Sequence, residues 1–185
     1  MVQNSKIIFV CVVILLCAIC SYCVTQYTNE IVLGHLYETS PIYSIFSRVS
    51  SSITALIPLI IFLFLYGTID IMVNTFFEMQ IKRTELFYIV GVSLTPFLLY
   101  QYFFWYNIIE YCHSNIINTA QDFYNIKYFF NLSFYDINFI GTICWGVLYL
   151  TITLLIIKRT KSIFKTIISV ATPSLIAYTF FKILA

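Results

Sequence analysis

Charged residues in this chain fall in clusters, and between the clusters run long stretches that carry no charge at all. Five stretches stand out, at residues 7–25, 49–69, 86–109, 137–157 and 166–181. A helix needs about 20 apolar residues to cross a hydrocarbon core. The pattern therefore predicts an all-α, polytopic membrane protein with five transmembrane helices, occupying residues 1–185 as a single integral membrane domain. The first run follows Lys6 and reads as an uncleaved signal anchor: its apolar core is longer than that of a signal peptide, and no small-x-small pattern closes it. The last run is the shortest. Lys165 and Lys182 flank it and can snorkel outward to extend it, so it reads as a span, with a re-entrant segment as the alternative.

The polar connections add detail. In residues 29–48, Ser40-Pro41 has the form of an N-cap followed by proline at the first helical position, and Ile42, Ile45, Phe46 and Val49 follow at helical spacing. This predicts a short amphipathic lead-in lying at the membrane interface. Tyr100, Tyr102, Trp105 and Tyr106 crowd the far end of the third run as an interfacial aromatic belt. Within residues 110–136, Ile126, Phe129 and Phe130 form an i, i+3, i+4 stripe, which fits a helix resting on the membrane or, more sharply, an aromatic ligand patch.

Composition agrees: 61% of the residues are hydrophobic and 10% are charged, more apolar surface than a soluble domain of this length could keep from water. A net charge of +2 gives no reason to expect a nucleic-acid partner. Its distribution sets orientation. With the N-terminus inside, the cytoplasmic side receives Lys6, Lys82, Arg83, Lys158, Arg159, Lys161 and Lys165, and the outer side Arg48, Lys127 and Lys182, which predicts N-in, C-out in a cell membrane.

One order of residues occurs twice. Lys82-Arg83-Thr84 leads through Phe87 to Thr95-Pro96 and then Phe103-Phe104; Lys158-Arg159-Thr160 leads through Phe164 to Thr172-Pro173 and then Phe180-Phe181. The last four spans thus read as two parallel-repeat hairpins, residues 49–109 and 137–184, each turning at a basic cytoplasmic loop and leaving through a proline-kinked helix. Each proline deprives the carbonyl four residues earlier, Val92 or Ser169, of its donor, and the Thr95 and Thr172 hydroxyls are placed to answer freed backbone. The kinks serve helix packing through small residues such as Gly91 and Ser169, or enclose a shared polar notch.

Phe87, Thr95 and Pro96 in one hairpin, with Trp145, Phe164, Thr172 and Pro173 in the other, carry a resemblance to the Yip family of Ypt/Rab-interacting multipass membrane proteins, over residues 42–184. The resemblance implies a five-span membrane protein without catalytic signature. Eukaryotic members have a longer hydrophilic N-terminal region thought to meet small GTPases. Here residues 1–6 precede the first run, so the resemblance to small bacterial members is the nearer one and no GTPase role is implied.

Chemistry is sparse. No HExxH, G-x-S-x-G or P-loop occurs, His35 and His113 lie in outer connections without acid-base partners, and the span interiors hold no charge, which in mid-membrane costs at least about 2.5–3.5 kcal/mol. The chain reads as non-enzymatic, with no catalytic residue, metal or cofactor. Cys17, Cys20 and Cys23 share a helix face and read as packing, a metal or palmitoyl site being the alternative; Cys112-His113 lacks a second ligand pair. Asp70 and Asn74 read as solvated boundary residues, with pairing to Lys82 or Arg83 as the alternative. The expected partners are the bilayer and a membrane or cytoplasmic protein at Lys82, Arg83, Lys158, Arg159, Lys161 and Lys165. The rival is a small permease or accessory subunit of a transporter, which would need a coupling helix within residues 70–85.

Overall fold

The computed structural model describes residues 2–32, 41–114, 127 and 131–184. The stripe at Ile126, Phe129 and Phe130, together with Ser40 and His35, lies outside them. The elements are α1 (Val2–Val32), α2 (Pro41–Asp70), a π-helix (Ile71–Phe76) continuing α2, α3 (Arg83–Val92), α4 (Thr95–Ser114), α5 (Phe134–Thr160) and α6 (Ile163–Leu184). Among the described residues there is no strand, only an isolated antiparallel bridge between Lys127 and Ser133.

Four helical stretches are long and apolar enough to cross a membrane: Asn4–Glu30, Ile42–Phe76, Arg83–Asn107 and Phe134–Thr160. The fifth apolar helix is shorter, Ile163–Ala177. Burial along α2 marks an integral membrane protein. Its inward positions near the start are Ser47 and Ser51, 5% and 0% exposed, whereas Ile53, Leu56, Ile60 and Leu63 are all more than half exposed. Water would reverse that arrangement; hydrocarbon favours it, because small polar residues pack between helices while large apolar ones meet lipid.

Two boundaries differ from expectation. The lead-in at Ile42, Ile45, Phe46 and Val49 is not a separate interfacial helix: α2 runs unbroken from Pro41 to Asp70, with Pro41 in the first turn, where a missing N–H does no harm, and Pro58 inside. The third run is not one kinked helix. It breaks at Ser93 and Leu94 into α3 and α4, placing Pro96 in the first turn of a new helix, again where its missing donor matters least. Ser93 closes α3 by donating both its amide and its hydroxyl to the Ile89 carbonyl, at 3.2 and 2.8 Å.

The chain forms two compact units. The first comprises Met1–Ile14, Leu59–Thr95 and Gly146–Ala185. Its core holds Val10, Leu65, Ile69 and Val73 with Leu86, Val90, Ile152 and Ile156, and α6 packs on the π-helix. Phe87 meets Phe62 and Tyr66 edge-on, with ring centroids 4.9 and 5.5 Å apart. The second comprises Leu15–Pro58 and Pro96–Trp145. Here the Gln101 amide donates to the Ser21 hydroxyl at 2.6 Å, the Tyr43 hydroxyl donates to the Asn29 carbonyl at 2.5 Å, and Phe97 packs on Trp145. α5 opens with a capping box: the Ser133 hydroxyl and amide both donate to Asp136 Oδ2, at 2.7 and 2.8 Å, and the Asp136 amide returns a bond to Ser133 Oγ.

The two basic turns and their candidate interaction surface

Both Lys-Arg-Thr triplets lie in the first unit, and each borders a turn between two helices, but they stand differently. Lys82 is the N-cap of α3 and Arg83 its first residue, so the first triplet opens a helix. Lys158 and Arg159 occupy the last turn of α5, so the second closes one. Phe87 is packed against two rings, whereas its counterpart Phe164 is 75% exposed.

The first turn is braced by Asn74. Its side-chain amide donates to Asp70 Oδ1 at 2.7 Å, and its carbonyl oxygen accepts the Ile81 amide at 2.8 Å. The π-helix carries the Phe77 amide to the Met72 carbonyl at 3.0 Å, and the Met79 amide reaches the Val73 carbonyl at 2.8 Å. Arg83 Nε lies 3.4 Å from Asp70 Oδ2, so the alternative pairing of Asp70 is realised with Arg83. The second turn is held by hydroxyls: Thr160 accepts the Ser162 amide at 3.3 Å, and Thr166 donates to the Ser162 carbonyl at 2.6 Å. Lys161 turns the chain with a positive φ of 56°.

Arg159 Nη2 and Glu85 Oε1, 2.6 Å apart, join the turns. Each charge also suits its own helix end: Glu85 stands in the first turn of α3 and Arg159 in the last turn of α5, where the macrodipole favours an anion and a cation respectively. The pair is partly exposed, and pairs of this kind are worth about 0.2–1 kcal/mol. Lys165 Nζ sits 5.9 Å from the Phe77 ring centroid. Lys82, Lys158 and Lys161 are exposed, and no ion pair engages them among the described residues.

The two threonines before proline act differently. The Thr95 hydroxyl donates to the Val92 carbonyl at 2.7 Å, the acceptor that Pro96 leaves without an amide partner. The Thr172 hydroxyl instead donates to the Ile168 carbonyl at 2.8 Å, and α6 continues through buried Pro173. The cavity beside Pro96 is walled mainly by apolar and aromatic side chains, with Asn107 among them, and takes its wall from α4 and α5 rather than from the helix of Pro173.

Cys17 and Cys20 are buried in the second unit, and among the described residues no three His, Cys, Asp or Glu side chains gather to hold a metal ion. The side chains of Cys112 and His113 lie outside the described set. Sequence reasoning missed the Glu85–Arg159 pair and the bracing by Asn74. The only hint was charge: Glu85 is an acid directly after Lys82-Arg83-Thr84, where the second copy of the triplet is followed by Lys161. No protein-family profile, characterised protein or solved structure matches the chain.

Proposed function

We propose that the chain is a five-span membrane protein, N-terminus inside and C-terminus outside, that works without catalysis as a Yip-like scaffold or interaction protein of the plasma membrane. The reading rests on one observation: the two turns are joined by a carboxylate–guanidinium pair that leaves Lys82, Lys158 and Lys161 exposed beside it. With the turns cytoplasmic, those ammonium groups meet anionic headgroups, at about 1 kcal/mol per charge near the surface, or an acidic patch on a partner protein. The doubled order of residues is an internal duplication whose copies share a basic turn and have diverged in how that turn is built. A transporter subunit would use a coupling helix in residues 70–85; the chain there has a π-helix continuous with α2 and then no helix until Arg83, so the interaction reading is preferred.

The test is co-purification. The full chain, solubilised in mild detergent, is compared with Lys82→Gln/Lys158→Gln/Lys161→Gln, which spares the Arg83–Asp70 and Arg159–Glu85 pairs. The variant should keep its thermal stability and lose its co-purifying proteins. An unchanged set of partners would reject an interaction role for the turns.

A further inference from the structure

We infer that the second unit binds one acyl chain of a membrane phospholipid in the cavity between α4 and α5. The cavity holds about 430 Å³, within the range of small-molecule sites. Pro96, Leu99 and Phe103 line it from α4, and Ile137, Ile140 and Cys144 from α5.

It is a built cavity. Leu132 and Ile137, both in its wall, are the N′ and N4 residues around the Ser133–Asp136 capping box, the positions at which a hydrophobic staple forms. That box fixes the start of α5, next to Leu132 in the wall. The Tyr100 ring, also in the wall, lies over Gly141 so closely that a Cβ there would come within 2.8 Å of Tyr100 Cζ. A glycine in α5 thus lets the ring lie against the helix.

Hydrocarbon is the occupant that its chemistry selects. A water inside needs two to four polar partners, and the wall offers few. Asn107 Nδ2 donates to the Phe103 carbonyl at 2.7 Å, which leaves the Asn107 side-chain oxygen, the Tyr100 hydroxyl and the Cys144 thiol as the polar groups in an otherwise apolar wall. The wall belongs to helices long and apolar enough to cross a bilayer, and two of its residues, Leu99 and Phe103, are 53% and 56% exposed, so in a membrane lipid reaches it. A helix about 10–12 Å across is too large for a volume of about 430 Å³, whereas a single flexible chain is not. This inference needs membrane embedding alone and is independent of the role given to the basic turns.

The full chain is reconstituted in vesicles of a single-species dioleoyl phosphatidylcholine containing free oleic acid, re-extracted, exchanged into fresh detergent and weighed by native mass spectrometry. One retained phospholipid per chain is expected. Retention should fall at least tenfold in Ile140→Trp, which fills the cavity, and be unchanged in Leu150→Trp, an exposed α5 position outside its wall. No retained lipid, equal retention in both variants, or retention of oleic acid alone overturns the inference. Should Ile140→Trp fail to fold, the wild-type chain still decides: alkylation of Cys144, followed by peptide mapping, should be at least fivefold slower with phospholipid than after delipidation, and equal rates reject the site.

Discussion

The side chain of Val10 fills the space that a Cβ on Gly91 would need: the atom would lie 2.4 Å from Cγ1 and 2.5 Å from Cγ2. Both residues are buried in the first unit, Val10 at 0% exposure, so α1 meets α3 at a point where one helix has no side chain at all. Gly91→Ala forces a valine or a backbone to move, and overpacking of this kind costs about 1–3 kcal/mol. Thermal unfolding in detergent should show the loss, and Val10→Ala in the same chain should recover part of it. Additive losses in the double variant would show that the contact is not what requires glycine.

The two Thr-Pro pairs should respond differently to the same change. Thr95→Val removes the donor that satisfies the Val92 carbonyl next to Pro96, and stranding such a group costs about 1–3 kcal/mol. Thr172→Val should be near neutral, because in a continuous helix the Ile168 carbonyl already accepts the Thr172 amide. Thr95→Ser should restore stability. Equal losses at the two sites would contradict this division of roles.

Glu85 and Arg159 should matter little for stability and more for the geometry of the turns. Glu85→Gln is expected to lower stability by about 0.2–1 kcal/mol, less at high salt, since the pair is partly exposed. Limited proteolysis of the segment between Phe77 and Lys82 should accelerate in the same variant. The reversed pair Glu85→Arg/Arg159→Glu should remain worse than wild type, each charge then opposing its own helix end.

Orientation has a direct readout. With the N-terminus inside, Cys112 labels with an impermeant maleimide in intact cells. Labelling only after permeabilisation would reverse the topology.

Much of this was legible in the residue pattern. Four of the five uncharged runs fall in helices long and apolar enough to cross a membrane, and the fifth in a shorter apolar helix, because charge in hydrocarbon is costly; the end of α5 at Lys158 and Arg159 is such a local signal. Proline positions were visible and their consequences were not. Pro96 divides a run into two helices while Pro58 and Pro173 lie within continuous ones, although all three lack the same donor.

Sequence by itself determined the apolar helical runs and the basic turns between them, but not every helix boundary. It could do so because hydropathy, capping and helix periodicity act over a few residues. Tertiary structure alone decided that Glu85 takes Arg159, that Asn74 braces the first turn, that Val10 stands over Gly91, and that α4 and α5 leave a cavity beside Pro96. Most of these relationships join residues far apart in the chain, so they depend on how helices approach one another, and packing between helices leaves no period in either one.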